Sequence, residues 1–198
     1  MMKKLLVVLT VLAMATVANA ALKISVGGVV DPPDTTIKLN PSDYVDLDIT
    51  GDGQTPGPWD GWLIVEGLGT TSDGRMLYTG SLSELTTYVK GTEDFAAMKA
   101  WLETPAVGYN DVQGVSNIVF AHGGEIQPPL SGTLVDQIRF LCEGQPGEVL
   151  ITLANIYDPG DGTPATITVM DTQVIHQIPE PITFALLGLG GLFLRRRK

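Results

Sequence analysis

Apolar and polar residues alternate in several short stretches of this chain, the period-two signature of a strand with one buried face. Val45-Asp46-Leu47-Asp48-Ile49 is the clearest case and sets Asp46 and Asp48 toward water. Ile138, Phe140 and Cys142 share one face of another stretch. Val149, Ile151 and Leu153 repeat the pattern, and so do Ile167 and Val169 between threonines. Trp62-Leu63-Ile64-Val65, bounded by Gly61 and Gly67, and Ile118-Val119-Phe120, before Gly123-Gly124, are instead continuous apolar runs. Gly and Pro clusters separate these runs, and no internal repeat emerges.

One region breaks the strand rhythm. Ser81-Leu82-Ser83-Glu84 has capping-box spacing, which predicts a short helix from Leu82 to Val89 that ends near Gly91. Thr92 is a candidate cap for a second helix, with Glu93 and Asp94 in its first turn. Phe95, Met98 and Leu102 would share one side of it, and Thr104-Pro105 would stop it. Residues 81–104 therefore read as a helical insertion between strands. The fold class expected is mainly β, an antiparallel β-sandwich with this short insertion.

Composition supports that class. The 23 glycines and 13 prolines suit a chain with many turns, and 44% hydrophobic content suffices for a packed core. Cys142 is the only cysteine, so no internal disulfide supports the fold. Charge is distributed unevenly. Residues 21–178 hold six basic and 21 acidic side chains, a net charge of −15. Such a surface repels phosphate backbones and anionic lipids, which argues against nucleic acid as a partner.

Both ends have a character of their own. Lys3-Lys4, the apolar stretch from Leu5, and Ala18-Asn19-Ala20 form the three parts of a secretion signal. Residues 1–20 are thus expected to be a signal helix removed between Ala20 and Ala21, with the secretion translocase and signal peptidase as partners. Residues 21–178 would be the ectodomain. At the other end, Pro179-Glu180-Pro181 precedes an apolar run over residues 182–194 and the basic cluster Arg195-Arg196-Arg197-Lys198. As a helix that run spans about 20 Å at ~1.5 Å per residue, against a hydrocarbon core of ~30 Å. Snorkelling arginines lengthen its reach and favour the cytoplasmic side. The physics describes a weak stop-transfer helix.

Motif, apolar run and basic terminus, in that order over residues 179–198, resemble the PEP-CTERM sorting signal. The resemblance implies an exosortase, a membrane-embedded cysteine protease, that recognises Pro179, Glu180 and Pro181 and processes the chain at the membrane. Two prolines disfavour helix and hold Glu180 extended beside the membrane, where a protease can grip it. A plain single-pass anchor without processing is the alternative reading of the same residues. The segments Gly132 to Phe140 and Pro146 to Leu153, with the opening Ile24 to Gly28 and Pro41 to Ile49, are similar in pattern to cohesin-type and carbohydrate-binding-module-like sandwiches.

Candidate sites in the middle are few. Asp48, Asp52 and Asp60, around Gly51 and Gly53, have part of the oxygen-ligand pattern of a calcium loop. Thr50 and Trp59 interrupt that pattern, and a glycine-rich turn leaving a strand accounts for the same residues. Asp158, Asp161 and Gly162 read as a turn. His122 and His176 show no metal-ligand spacing, and a loop position is expected for His122. Cys142 reads as a buried thiol. Trp59, Trp62 and Tyr109 would make either a sugar platform or ordinary packing. No nucleophile elbow, phosphate loop or zinc motif occurs. No cofactor is implied beyond the candidate calcium.

These features together describe an exported envelope or extracellular-matrix protein, sorted by an exosortase-like system, with a noncatalytic binding or structural role. Its expected location is a transient or lasting inner-membrane anchorage, then the cell surface or matrix. A surface polysaccharide or another envelope protein is the expected partner. An exported hydrolase acting on polysaccharide, its acids scattered over the sandwich, is the alternative.

Overall fold

A computed structural model describes residues 22–33, 37–55, 59–72, 74–77, 83–109, 114–123, 130–143 and 146–178. The signal segment with Ala18, Ala20 and Ala21, and the tail with Pro179 to Pro181, the apolar run and the basic cluster, lie outside these residues.

Two six-stranded sheets face each other. The first contains β1 (Leu22–Val26), β2 (Val29–Val30), β4 (Tyr44–Thr55), β6 (Thr70–Thr71), β7 (Arg75–Met76) and β10 (Leu130–Leu141). Its order is β2-β1-β4-β10-β6, and β7 also pairs with β10. The second contains β3 (Lys38–Leu39), β5 (Trp59–Glu66), β8 (Glu84–Val89), β9 (Val115–Gly123), β11 (Gly147–Tyr157) and β12 (Thr166–Gln177), in the order β3-β12-β11-β5-β9-β8. Pairing is antiparallel except between β3 and β12, which run parallel over two residues. The chain is thus a β-sandwich, mixed at one edge.

The alternating stretches of β4 and β10 have become strands that face the core on one side only, whereas β11 is buried on both sides and Val169 of β12 is exposed. Leu47 and Ile49 of β4, Ile138 and Phe140 of β10, and Ile151 and Leu153 of β11 meet between the sheets. The continuous apolar run of β5 has another cause. Leu63 and Val65 join that central core, whereas Trp62 and Ile64 point outward into a second cluster. That cluster is roofed by α1 (Glu93–Leu102), through Phe95 and Leu102. Thr92 caps the helix as expected, its Oγ1 accepting from the Phe95 N–H at 3.2 Å. Both faces of the second sheet are therefore covered where α1 lies, while among the described residues no element lies over the outer face of the first sheet.

Two expectations are corrected. Residues 84–89 form β8, paired with β9 from Glu84–His122 to Val89–Asn117, and not a helix. Thr86, Thr87, Tyr88 and Val89 are β-branched or aromatic, and a pairing partner on β9 outweighs the local capping signal. The glycine-rich stretch after Asp48 does not turn. β4 continues through Gly51 to Thr55, because β1 and β10 bond it on both sides, with Leu22 and Gly132 opposite Gly51.

Candidate functional site

The sandwich is joined along one edge by a polar cluster between β1 and β12. Asp171, buried on β12, accepts the Ile24 N–H at 2.8 Å, and Lys23 lies 3.7 Å from its other oxygen. Asp31 pairs with Lys23 at 3.2 Å and accepts from Gln173 Nε2 at 3.2 Å. Burial raises the Asp171 carboxyl above the ordinary carboxylate range, although the Ile24 N–H and Lys23 oppose the shift. A raised folded-state pKa stabilises the fold below the unfolded value and loses that contribution as pH rises through the folded one. Asp171→Asn keeps an oxygen for Ile24 and removes the buried charge. The variant should gain stability relative to the parent between pH 3 and pH 7, read as the difference in urea midpoints at the two pH values. An unchanged difference would show that burial does not set the titration of Asp171.

The calcium candidates are not gathered. Asp48 lies on the open face of the first sheet and accepts the Gln137 N–H at 3.1 Å, whereas Asp60 belongs to β5 of the second sheet. Asp52 sits on β4, opposite Ser131. Among the described residues no three His, Cys, Asp or Glu side chains come close enough to share an ion. The glycines of this stretch are held inside a paired strand.

Asp60 does have a partner, which is His122. The two face each other across β5 and β9, with Nδ1 of the imidazole against the Asp60 carboxylate. His122 therefore sits on a strand and not in a loop, and its ring stacks beside Phe120 at 6.2 Å between centroids. Only the β5–β9 register brings together residues 62 positions apart, so local sequence carries no signal for the pair. His176 faces Glu148 in the same way across β11 and β12, 3.4 Å apart.

The aromatic residues are used in packing. Trp62 is buried and stacks on Trp101 at 5.2 Å and against Phe120 at 4.4 Å. Tyr109 is half-buried and donates its hydroxyl to Glu66 at 3.1 Å. The side chain of Trp59 lies outside the described residues. Cys142 is buried in the central core. Asp158 and Asp161 make the expected turn, accepting the N–H groups of Gly160 and Thr163 at 2.9 Å each.

The open face of the first sheet holds a shallow depression of about 500 Å³, lined in part by Tyr44, Asp46, Asp48 and Asp136. Two of these acids are matched by bases. Arg139 bonds Asp46 at 3.1 Å and lies over the Tyr44 ring, and Arg75 holds Asp136 at 2.6 Å.

The exit of the tail is the feature with the clearest link to function. β12 runs to Gln177, and the Ile178 N–H donates to the Leu39 carbonyl at 2.9 Å. The buried Gln177 side chain donates from Nε2 to the Leu68 carbonyl. The sheet thus holds the chain to within one residue of Pro179. Among the described residues no helix is long and apolar enough to cross a membrane.

Residues 177–198 match the family model of the PEP-CTERM protein-sorting motif. No curated protein matches the chain. Among solved structures, the sandwich is similar to a cohesin module of a Clostridium perfringens family 33 glycoside hydrolase, at 10% identity and a TM-score of 0.41. That match covers 82% of this chain and 100% of the module. It is also similar to a chain of a type I cohesin–dockerin complex from Clostridium thermocellum, at 12% identity and a TM-score of 0.33, covering 80% and 99%.

Proposed function

We propose that this chain is an exported envelope protein that an exosortase-like membrane protease reads at Pro179, Glu180 and Pro181. Its sandwich would then act outside the cell in a noncatalytic binding or structural role. One observation carries the reading: the matched sorting segment begins at Gln177, where the last strand of the sandwich ends. Folded domain and address adjoin without a linker. The partner of the sandwich is a surface polysaccharide or another envelope protein. The open face of the first sheet is the surface available for it, since α1 covers the corresponding face of the second.

Signal peptidase would free Ala21, next to Leu22 at the start of β1. Leu22 is buried in the core, so the mature N-terminus would lead directly into a core strand. Intact mass and N-terminal sequencing of the protein, from hosts with and without the processing enzyme, test the proposal. Both preparations should begin at Ala21, and only the host with the enzyme should yield a chain lacking the hydrophobic tail. A start at Met1, or the same full-length tail in both hosts, overturns it.

A further inference from the structure

Four large apolar side chains that the sandwich leaves exposed stand at one end of it. They are Tyr44, Leu68, Leu141 and Ile178, of nine exposed among the described residues. Tyr44 opens β4 and Leu141 ends β10, and the two are opposite each other in the ladder. Leu68 and Ile178 belong to the tail exit, where Gln177 bonds the Leu68 carbonyl. Val29 and Val30 lie higher on the sandwich, level with Leu47 and Asp48. Tyr157, by contrast, closes β11 at the end away from the exit, opposite Thr166 at the start of β12.

The chain beyond this end is short. Three residues, Pro179 to Pro181, separate Ile178 from the apolar run that starts at Ile182. Fully extended, they allow about 14 Å between those two α-carbons at ~3.6 Å per residue. A tail inserted in the bilayer therefore holds the apolar end of the sandwich within reach of the headgroups. Charge does not oppose this arrangement. The ectodomain carries −15 in all, yet near the exit the balance is close, with Lys38, Lys90 and Arg139 beside Asp43, Asp46, Glu143 and Glu148. Aromatic and aliphatic side chains with mixed charge suit the interface of a zwitterionic membrane.

We propose that the tail-exit end of the sandwich docks on the phospholipid surface while the tail is inserted, with Leu68 and Tyr44 entering the interfacial layer. The inference rests on the reading of the tail as a membrane segment. Docking would fix the orientation of the ectodomain and hold Pro179 to Pro181 at the headgroup level, where a membrane protease must find them.

The test uses the full chain in phosphatidylcholine vesicles that carry a nitroxide near the headgroup. Leu68→Cys, Tyr44→Cys and Tyr157→Cys each take a small environment-sensitive fluorophore. The parent chain, whose Cys142 is buried, is the labelling control. All forms should float with the vesicles. The labels at positions 68 and 44 should lose most of their emission to the nitroxide, and the label at position 157 none. Chains that float without quenching at position 68 or at position 44, or with equal quenching at all three positions, overturn the docking and leave tail insertion standing. Chains that do not float overturn the insertion reading and the docking with it.

Discussion

Glu180→Ala is expected to trap the protein in the inner membrane with its tail attached, while the parent chain loses the tail and moves outward. The change touches nothing that drives insertion, because the apolar run and the Arg195 to Lys198 cluster remain. It also spares the fold, whose last described bond to this segment is made by Ile178. What the substitution removes is the carboxylate of the motif, set between two residues that disfavour helix. A protease that reads this group loses a charge-assisted contact, which is stronger than a neutral one and ordinarily specific. A plain anchor predicts no difference, since one exposed carboxylate beside the membrane adds little to insertion. Intact mass and membrane fractionation, in a host that has the processing enzyme, separate the two. Identical masses in identical fractions would end the sorting interpretation of the motif.

Much of the sandwich was legible because its strands obey simple rules. Val45 to Ile49 alternates since one side of β4 meets the core and the other the open face, and that pattern survives in the structure. The apolar run at Trp62 to Val65 was legible as a strand. Its cause, a second cluster beneath α1, was half visible in the spacing of Phe95, Met98 and Leu102. Local chemistry misled where long-range pairing decided the outcome. Ser81 to Glu84 signals a helix cap, yet β9 takes residues 84–89 as a strand. Gly51 and Gly53 signal a turn, yet β1 and β10 hold that segment extended. The Asp60–His122 pair and the Asp171 cluster were not legible at all, because each joins residues that only the sheet register or the sandwich edge brings together. The tail is the opposite case: its signal is purely local, and three ordered features within twenty residues suffice.

Phe140→Ala should be the most destabilising single truncation in the core of the first sheet. The ring is fully buried one residue before the end of β10, with Val45 on one side in the ladder and Thr71 on the other. It also supports a backbone segment. Gly69 lies so close that a Cβ there would come within 2.3 Å of Phe140 Cζ, at a φ of +148° that only glycine adopts readily. The Gly69 carbonyl accepts the buried Asn117 amide at 2.9 Å, and the neighbouring Leu68 carbonyl accepts Gln177. Removing the ring therefore leaves a cavity and takes away the surface that seats residues 68 and 69. Truncating a buried phenylalanine to alanine costs about 3–5 kcal/mol. At ~2–4 °C per kcal/mol for a chain of this size, the melting temperature should fall by roughly 6–20 °C. Leu141→Ala is the matched control, next in sequence but 41% exposed on the outer side. Its cost should stay within about 0.5 kcal/mol, as for surface substitutions generally. Urea unfolding of both variants beside the parent gives the comparison. A Phe140→Ala midpoint no lower than that of Leu141→Ala would mean that the ring does not fill the space between the sheets, and that Gly69 is held by something else.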